Sequence, residues 1–122
     1  MQRIMLKSKI HRATLTGAEL AHEGSITIGA DLLRAADMLS GEQVHVLNVN
    51  TGARIVTYTI EAPSGSGEVI LNGPAARTGA AGDLVIVLSY ALYDDNIAHP
   101  HRPNVVFVDG KNRISTGTGS HE

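Results

Sequence analysis

The sequence predicts a mainly β fold, a barrel or sandwich of short strands. Three observations carry this expectation. Val, Ile and Leu cluster in short runs separated by Gly, Asn, Asp and Pro, the spacing of strands joined by tight turns. Hydrophobic residues make up 43% of the chain with one Phe, three Tyr and no Trp, so the core must be aliphatic and the chain globular. One segment alone departs from the strand pattern and carries helical spacing. The 122 residues fit a single domain, near the common size of roughly 100–150 residues, with no internal repeat and no boundary.

In chain order, strands are expected at 4–16, 25–28, 43–49, 54–61, 68–71, 84–90 and 105–108. Over 31–39, Leu32, Ala35, Ala36 and Leu39 recur at helical spacing, with Asp31 as the expected cap and Gly41 as the expected stop. Residues 50–53 and 64–67 read as turns, being rich in Asn, Gly and Ser. Pro74-Ala75-Ala76-Arg77 is expected to form a second, short helix, with proline in the first turn where its missing N–H costs nothing. Residues 79–83 form a tight turn that feeds the strand at 84–90. From about residue 110 the chain is small and polar, so 110–122 is expected to be a flexible tail.

Composition excludes several functions. A net charge of −2 provides no electrostatic footprint for nucleic acid or an anionic membrane. Without cysteine there is no disulfide framework, no thiolate metal site and no cysteine nucleophile. Arg3 and Lys7 interrupt the first residues, which hold no apolar stretch of signal-peptide or membrane-spanning length; a cytoplasmic location is expected.

The residues suited to chemistry fall into four groups. Lys7, Lys9 and His11 alternate onto one strand face with Arg12 on the other, which makes either an anion site or a lysine-guarded sheet edge. Arg54 and Tyr58 share a strand face about 13 Å apart at about 3.3 Å per residue. Either they converge on a small molecule, with the guanidinium for a carboxylate and the phenol for a proton, or they are a surface charge and a barrel tyrosine. Asn72-Gly73-Pro74-Ala75 either presents backbone N–H groups to a carboxylate or is a plain turn. His99-Pro100-His101, with His22 and His45, lacks the spacing of a zinc site, and no metal is expected. Gly24-Ser25 lacks the Gly-x-Ser-x-Gly elbow of a hydrolase, and Gly-Ser recurs at Gly65-Ser66 and Gly119-Ser120. The dipeptide alone therefore says nothing.

Its company says more. Lys9, His11, Glu23-Gly24-Ser25, Arg54, Thr57-Tyr58, Asn72-Gly73 and Gly82-Asp83 resemble, in order and spacing over roughly residues 1–108, the pyruvoyl-dependent aspartate 1-decarboxylase family, and residues 5–12 resemble its opening. The resemblance implies a double-psi β-barrel assembled as a homotetramer with active sites between subunits. It implies self-cleavage between Gly24 and Ser25, with Thr57 stabilising the oxyanion, and conversion of Ser25 into a pyruvoyl cofactor that forms a Schiff base with L-aspartate. It further implies decarboxylation to β-alanine and carbon dioxide for pantothenate and coenzyme A synthesis, with Tyr58 as proton donor. Lys9 and Arg54 would bind substrate carboxylate with the loop at Asn72, Gly73 and Ala75, His11 would line the site, and some members require a maturation factor. Two positions depart from the pattern. His22 stands where tyrosine is usual, which introduces a group that titrates near neutral pH, and Pro74 removes an N–H from the substrate loop. Two alternatives remain: an uncleaved barrel acting as a binding or assembly module, and a pyruvoyl decarboxylase of another amino acid.

Overall fold

The structure, a computed structural model, describes residues 1–115. Its elements are β1 (Gln2–Thr14), β2 (Gly17–Glu19), β3 (Ser25–Gly29), α1 (Ala30–Ala35), β4 (Gln43–Asn48), β5 (Arg54–Ala62), β6 (Val69–Asn72), a 3-10 helix (Gly73–Thr78), β7 (Leu84–Asp94), α2 (Asp95–Ala98), β8 (Asn104–Val108) and β9 (Ile114–Ser115). The nine strands join in the order β2-β6-β3-β5-β4-β7-β1-β8-β9. The expected mainly β class is the one observed.

Chain connectivity forces this sheet to curl. β1 and β2 stand seventh and first in the strand order, yet only residues 15 and 16 join them. Six strand spacings in a flat sheet amount to roughly 29 Å, whereas a link of that length reaches about 10 Å. The sheet therefore wraps round, and the Thr16 N–H donates to the Val69 carbonyl on β6 at 2.8 Å. Three pairings are parallel, β1 with β8, β2 with β6 and β3 with β5, among otherwise antiparallel neighbours. Parallel neighbours require crossover connections, which excludes a simple meander and fits the double-psi barrel that the resemblance implies. The interior is aliphatic, with Ile10, Leu15, Ile26, Ile28, Val44, Leu71, Val85 and Val87 all at most 1% exposed.

The first strand keeps its stripe but shifts phase. Ser8 and Ile10 face inward while Lys7, Lys9 and His11 lie half-buried on the opposite face. Register shifts at Lys7 and across His11 and Arg12 mark bulges, and Arg12 takes a left-handed φ of 61°. The bulge turns Arg12 outward and passes the inward positions to Ala13 and Leu15. Lys7 donates to the Asp37 carbonyl and pairs with Glu42 at 3.0 Å. Burial raises the Glu42 pKa, but hydrogen bonds from Ser89, the Leu39 N–H and Lys7 outweigh it and hold the carboxyl below its usual range.

The helix at 31–39 is shorter than expected and ends differently. Asp31 does not cap it; its Oδ1 accepts the Gly65 N–H at 2.9 Å and pins the 64–67 turn, while Gly29 holds the cap position with no side-chain bond. The stop is Asp37, not Gly41. Asp37 adopts φ 56°, its N–H donates to Arg34 at 3.1 Å, and the Met38 N–H reaches back to Leu33 at 2.8 Å, the paired bonds of a Schellman end. Leu39 is consequently 76% exposed, and Leu33 takes the buried place expected for it.

The flexible tail expected from residue 110 does not begin there. Asn112, 2% exposed, donates from Nδ2 to the carbonyls of Thr14 and Gly67 and accepts the Thr14 N–H at Oδ1, locking residues 109–115 against the barrel. Residues 116–122 lie outside the described residues.

Candidate active site

Strand register assembles the site. β3 runs parallel to β5 with Ile26 opposite Thr59, so one step back sets Ser25 beside Tyr58 and another sets Gly24 beside Thr57. On the other side β3 is antiparallel to β6, with Ser25 opposite Asn72. Three strands thus bring Gly24, Ser25, Thr57, Tyr58 and Asn72 together from sequence positions far apart.

Ser25 is 0% exposed. Its Oγ donates to the Glu23 carbonyl at 3.2 Å and accepts from Asn72 Nδ2 at 3.0 Å, and the same amide donates to Thr27 Oγ1 at 2.8 Å. Asn72 therefore fixes where the hydroxyl oxygen stands. Gly73 lets the backbone reach it. At φ 63°, a Cβ on this residue would fall 2.3 Å from the His22 carbonyl oxygen, 2.7 Å from the Gly24 nitrogen and 2.8 Å from the Glu23 carbonyl carbon. The segment 22–24 lies in a cradle that only glycine leaves open. A Cβ on Gly24 would meet Pro74 Cδ at 3.4 Å, so Pro74 closes the cradle from the side of the 3-10 helix.

Two clefts flank the Gly24–Ser25 bond. One, of about 390 Å³, is lined by Gly24, Ile55, Thr57, Tyr58, Pro74 and Ala75. The other, of about 650 Å³, opens on Ser25, Asn72 and Thr27 and carries His22 with Glu19, Glu23 and Glu68 on its walls. Tyr58 donates from its hydroxyl to Glu23 Oε1 at 3.2 Å. Desolvation and that carboxylate push the phenol pKa up from its ordinary value.

Strand register does not bring three of the expected site residues into this group. Lys9 and His11 are on β1, separated from β3 in the sheet by β5, β4 and β7, and the His11 ring meets Phe107 edge-on at 5.7 Å. Arg54 shares a strand with Tyr58, but the two diverge instead of converging. Arg54 Nη2 donates to Tyr90 Oη at 3.2 Å and lies 3.3 Å from His45 Nδ1, while Tyr58 turns to Glu23. Sequence reasoning gave the Glu23 side chain no role and missed Thr27; the adjacency of Glu23 to Gly24-Ser25 was the available signal for the first. Gly82-Asp83 proves architectural, with Asp83 Oδ2 accepting from Asn48 Nδ2 and the Ala80 N–H. His101 Nε2 bonds the Leu6 carbonyl at 2.7 Å and its ring lies 4.4 Å from that of Tyr93, which accounts for it structurally. Among the described residues no group of three or more His, Cys, Asp or Glu could hold a metal ion, and no helix is long and apolar enough to cross a membrane.

These features define a class, a small mixed-sheet β-barrel whose polar focus is a glycine–serine junction between two clefts. The family model described as aspartate decarboxylase matches residues 1–115, and the chain belongs to that family. The aspartate 1-decarboxylase of Dehalococcoides mccartyi is 57% identical over 111 residues, covering 91% of this chain and 90% of that protein. The enzyme of the same name from Syntrophobacter fumaroxidans is 58% identical over 113 residues, covering 93% and 91%. Among solved structures, the computationally designed msDPBB_sym2 protein aligns with a TM-score of 0.47 at 18% identity over 71% of this chain and 96% of that one.

Proposed function

We propose that this chain cleaves itself between Gly24 and Ser25, converts Ser25 to a pyruvoyl group and decarboxylates L-aspartate to β-alanine and carbon dioxide. The observation that carries the reading is the buried Ser25 hydroxyl held by Asn72 beside a backbone segment that Gly73 admits. The names of the relatives supply the substrate.

Cleavage needs a nucleophile at a carbonyl and relief of amide resonance. Ser25 Oγ adds to the Gly24 carbonyl carbon, Thr57 on the cleft wall stabilises the oxyanion, and the Ser25 nitrogen leaves carrying the hydroxyl proton, giving an ester. Loss of the Ser25 α-proton then breaks the Cβ–Oγ bond and releases Gly24 as a carboxylate. Water replaces the nitrogen as ammonia and leaves a ketone. The residues present fit that group: the site is buried, Asn72 Nδ2 donates into it, and the cradle that a Cβ would fill is open.

When formed, the pyruvoyl group supplies the electron sink for the departing carboxylate. Tyr58 holds the proton that replaces it, since a phenol stays protonated at neutral pH. The loop at Asn72, Gly73 and Ala75 bounds the substrate. Lys9 and Arg54 bind its carboxylates from a neighbouring copy, since in one protomer Arg54 is turned to Tyr90 and Lys9 stands on β1, which pairs with none of β3, β5 and β6. A homotetramer with shared active sites accommodates both.

Mass and carbon dioxide measurements test the reading. Fragments 1–24 and 25–122 are expected, the second lighter than its sequence by one ammonia, with carbon dioxide released from aspartate faster than from glutamate. A single intact mass under every condition, including addition of cell extract to supply a maturation factor, would return the chain to the class of uncleaved barrels. Faster release from glutamate would reassign the substrate.

A further inference from the structure

We propose that Glu23 is a positioning residue that couples Tyr58 to the state of the backbone: its carboxylate engages the Tyr58 hydroxyl while the chain is intact, and cleavage one residue downstream frees that hydroxyl for the reaction. The inference rests on the cleavage reading above. Glu23 Oε1 accepts the Tyr58 hydroxyl at 3.2 Å, so in the intact chain the expected proton donor is committed to a side chain of the very segment to be cut. Glu23 itself is exposed, and burial does not fix it there. It is held through the chain on both sides. Downstream, Gly24 ties it to Ser25 at the start of β3; upstream, the His22 carbonyl is seated in the Gly73 cradle.

Cleavage removes the downstream tie. Glu23 becomes the penultimate residue of a new C-terminus, and chain ends fray unless something holds them. The same step places the Gly24 carboxylate next to the Glu23 carboxylate, and two like charges on adjacent residues disfavour a shared, partly desolvated position. Gln43, the residue opposite Tyr58 on β4, brings no charge, so Glu23 is the charged group at the phenol. Cleavage thus does two things in one event: it makes the reactive group, and it releases the acid that serves it.

The test follows the Tyr58 phenol by its phenolate absorbance, each protein being compared with its Tyr58→Phe counterpart to subtract Tyr90 and Tyr93. Three proteins are titrated: the uncleaved Ser25→Ala chain, the Ser25→Ala/Glu23→Gln chain, and the cleaved wild type. Tyr58 is expected to titrate highest in Ser25→Ala and measurably lower in the other two, since desolvation remains while the Glu23 carboxylate no longer holds the phenol proton. Equal midpoints in the two uncleaved chains would overturn the contact. A cleaved wild type that keeps the Ser25→Ala midpoint would overturn the release. A wild type that stays intact overturns the proposed function instead, and the mass spectrum reports that outcome independently of the titration.

Discussion

Ser25→Ala is expected to leave one chain of full sequence mass with no detectable carbon dioxide release from aspartate. The substitution removes the hydroxyl that the proposed mechanism uses to attack the Gly24 carbonyl, and with it the source of the ketone. Its structural cost is limited. Two hydrogen bonds are lost, the one donated to the Glu23 carbonyl and the one accepted from Asn72 Nδ2, about 2 kcal/mol together, while Asn72 Nδ2 keeps Thr27 Oγ1 as an acceptor. A folded, uncleaved and inactive chain is therefore the expected product. Ser66→Ala and Ser120→Ala supply the comparison. Ser66 Oγ accepts the Glu68 N–H within its turn, far in sequence from Gly24, and its loss costs about 1 kcal/mol without touching cleavage. Ser120 lies outside the described residues, and its substitution is expected to leave both fragments and activity intact. Cleavage of Ser25→Ala at position 24 would sink the self-cleavage mechanism, and failure of Ser66→Ala to cleave would show that the Gly-Ser dipeptides are not functionally separable.

The sequence carried the strands and the chemistry but not the three-dimensional grouping. Six of the seven expected strands lie within two residues of observed elements at both ends, because aliphatic runs bounded by Gly, Asn and Pro are local signals; β7 starts at Leu84 as expected but continues to Asp94. The short pairings of β2 and β9 carry no such run and depend on partners elsewhere, so they were not legible. The end of α1 was misplaced for a related reason. Aspartate in a left-handed conformation is uncommon, and the tertiary bond from Asp31 to Gly65 removed the residue that local reasoning had assigned to the cap. At the site, the residues that adjoin one another along strands or across one register step, Gly24, Ser25, Thr57, Tyr58, Asn72 and Gly73, were found from sequence through the resemblance, and the structure groups them. Lys9, His11 and Arg54 matched the same pattern, yet β1, which carries the first two, pairs with none of β3, β5 and β6, and Arg54 is bonded to Tyr90. Spacing along a strand fixes which face a side chain shares, and says nothing of whether two long side chains bend toward each other or toward different neighbours.

Gly73→Ala is expected to slow cleavage at least about 100-fold while the barrel still folds, a loss typical of misplacing reacting atoms by about 1 Å. Two effects of different kind meet at this residue. A left-handed φ of 63° costs an alanine about 1–2 kcal/mol, which any similar glycine would share. The second is particular to the site. The added methyl would sit 2.3 Å from the His22 oxygen, 2.7 Å from the Gly24 nitrogen and 2.8 Å from the Glu23 carbonyl carbon. All three are backbone atoms, so no rotamer change relieves the contact, and the segment 22–24 must move away from Ser25. Gly65→Ala separates the two effects, because Gly65 has φ 79° and nothing within 4 Å of its added Cβ. That variant is expected to lose about 1–2 kcal/mol of stability and to cleave normally. Following the fraction cleaved against time by mass, with thermal unfolding measured on the same samples, distinguishes the outcomes. Equal cleavage rates for Gly73→Ala and Gly65→Ala would mean that left-handed strain, not the seat for residues 22–24, is all that glycine provides at position 73. A slow Gly73→Ala beside a normal Gly65→Ala would assign to Gly73 the task of presenting the bond that Ser25 attacks.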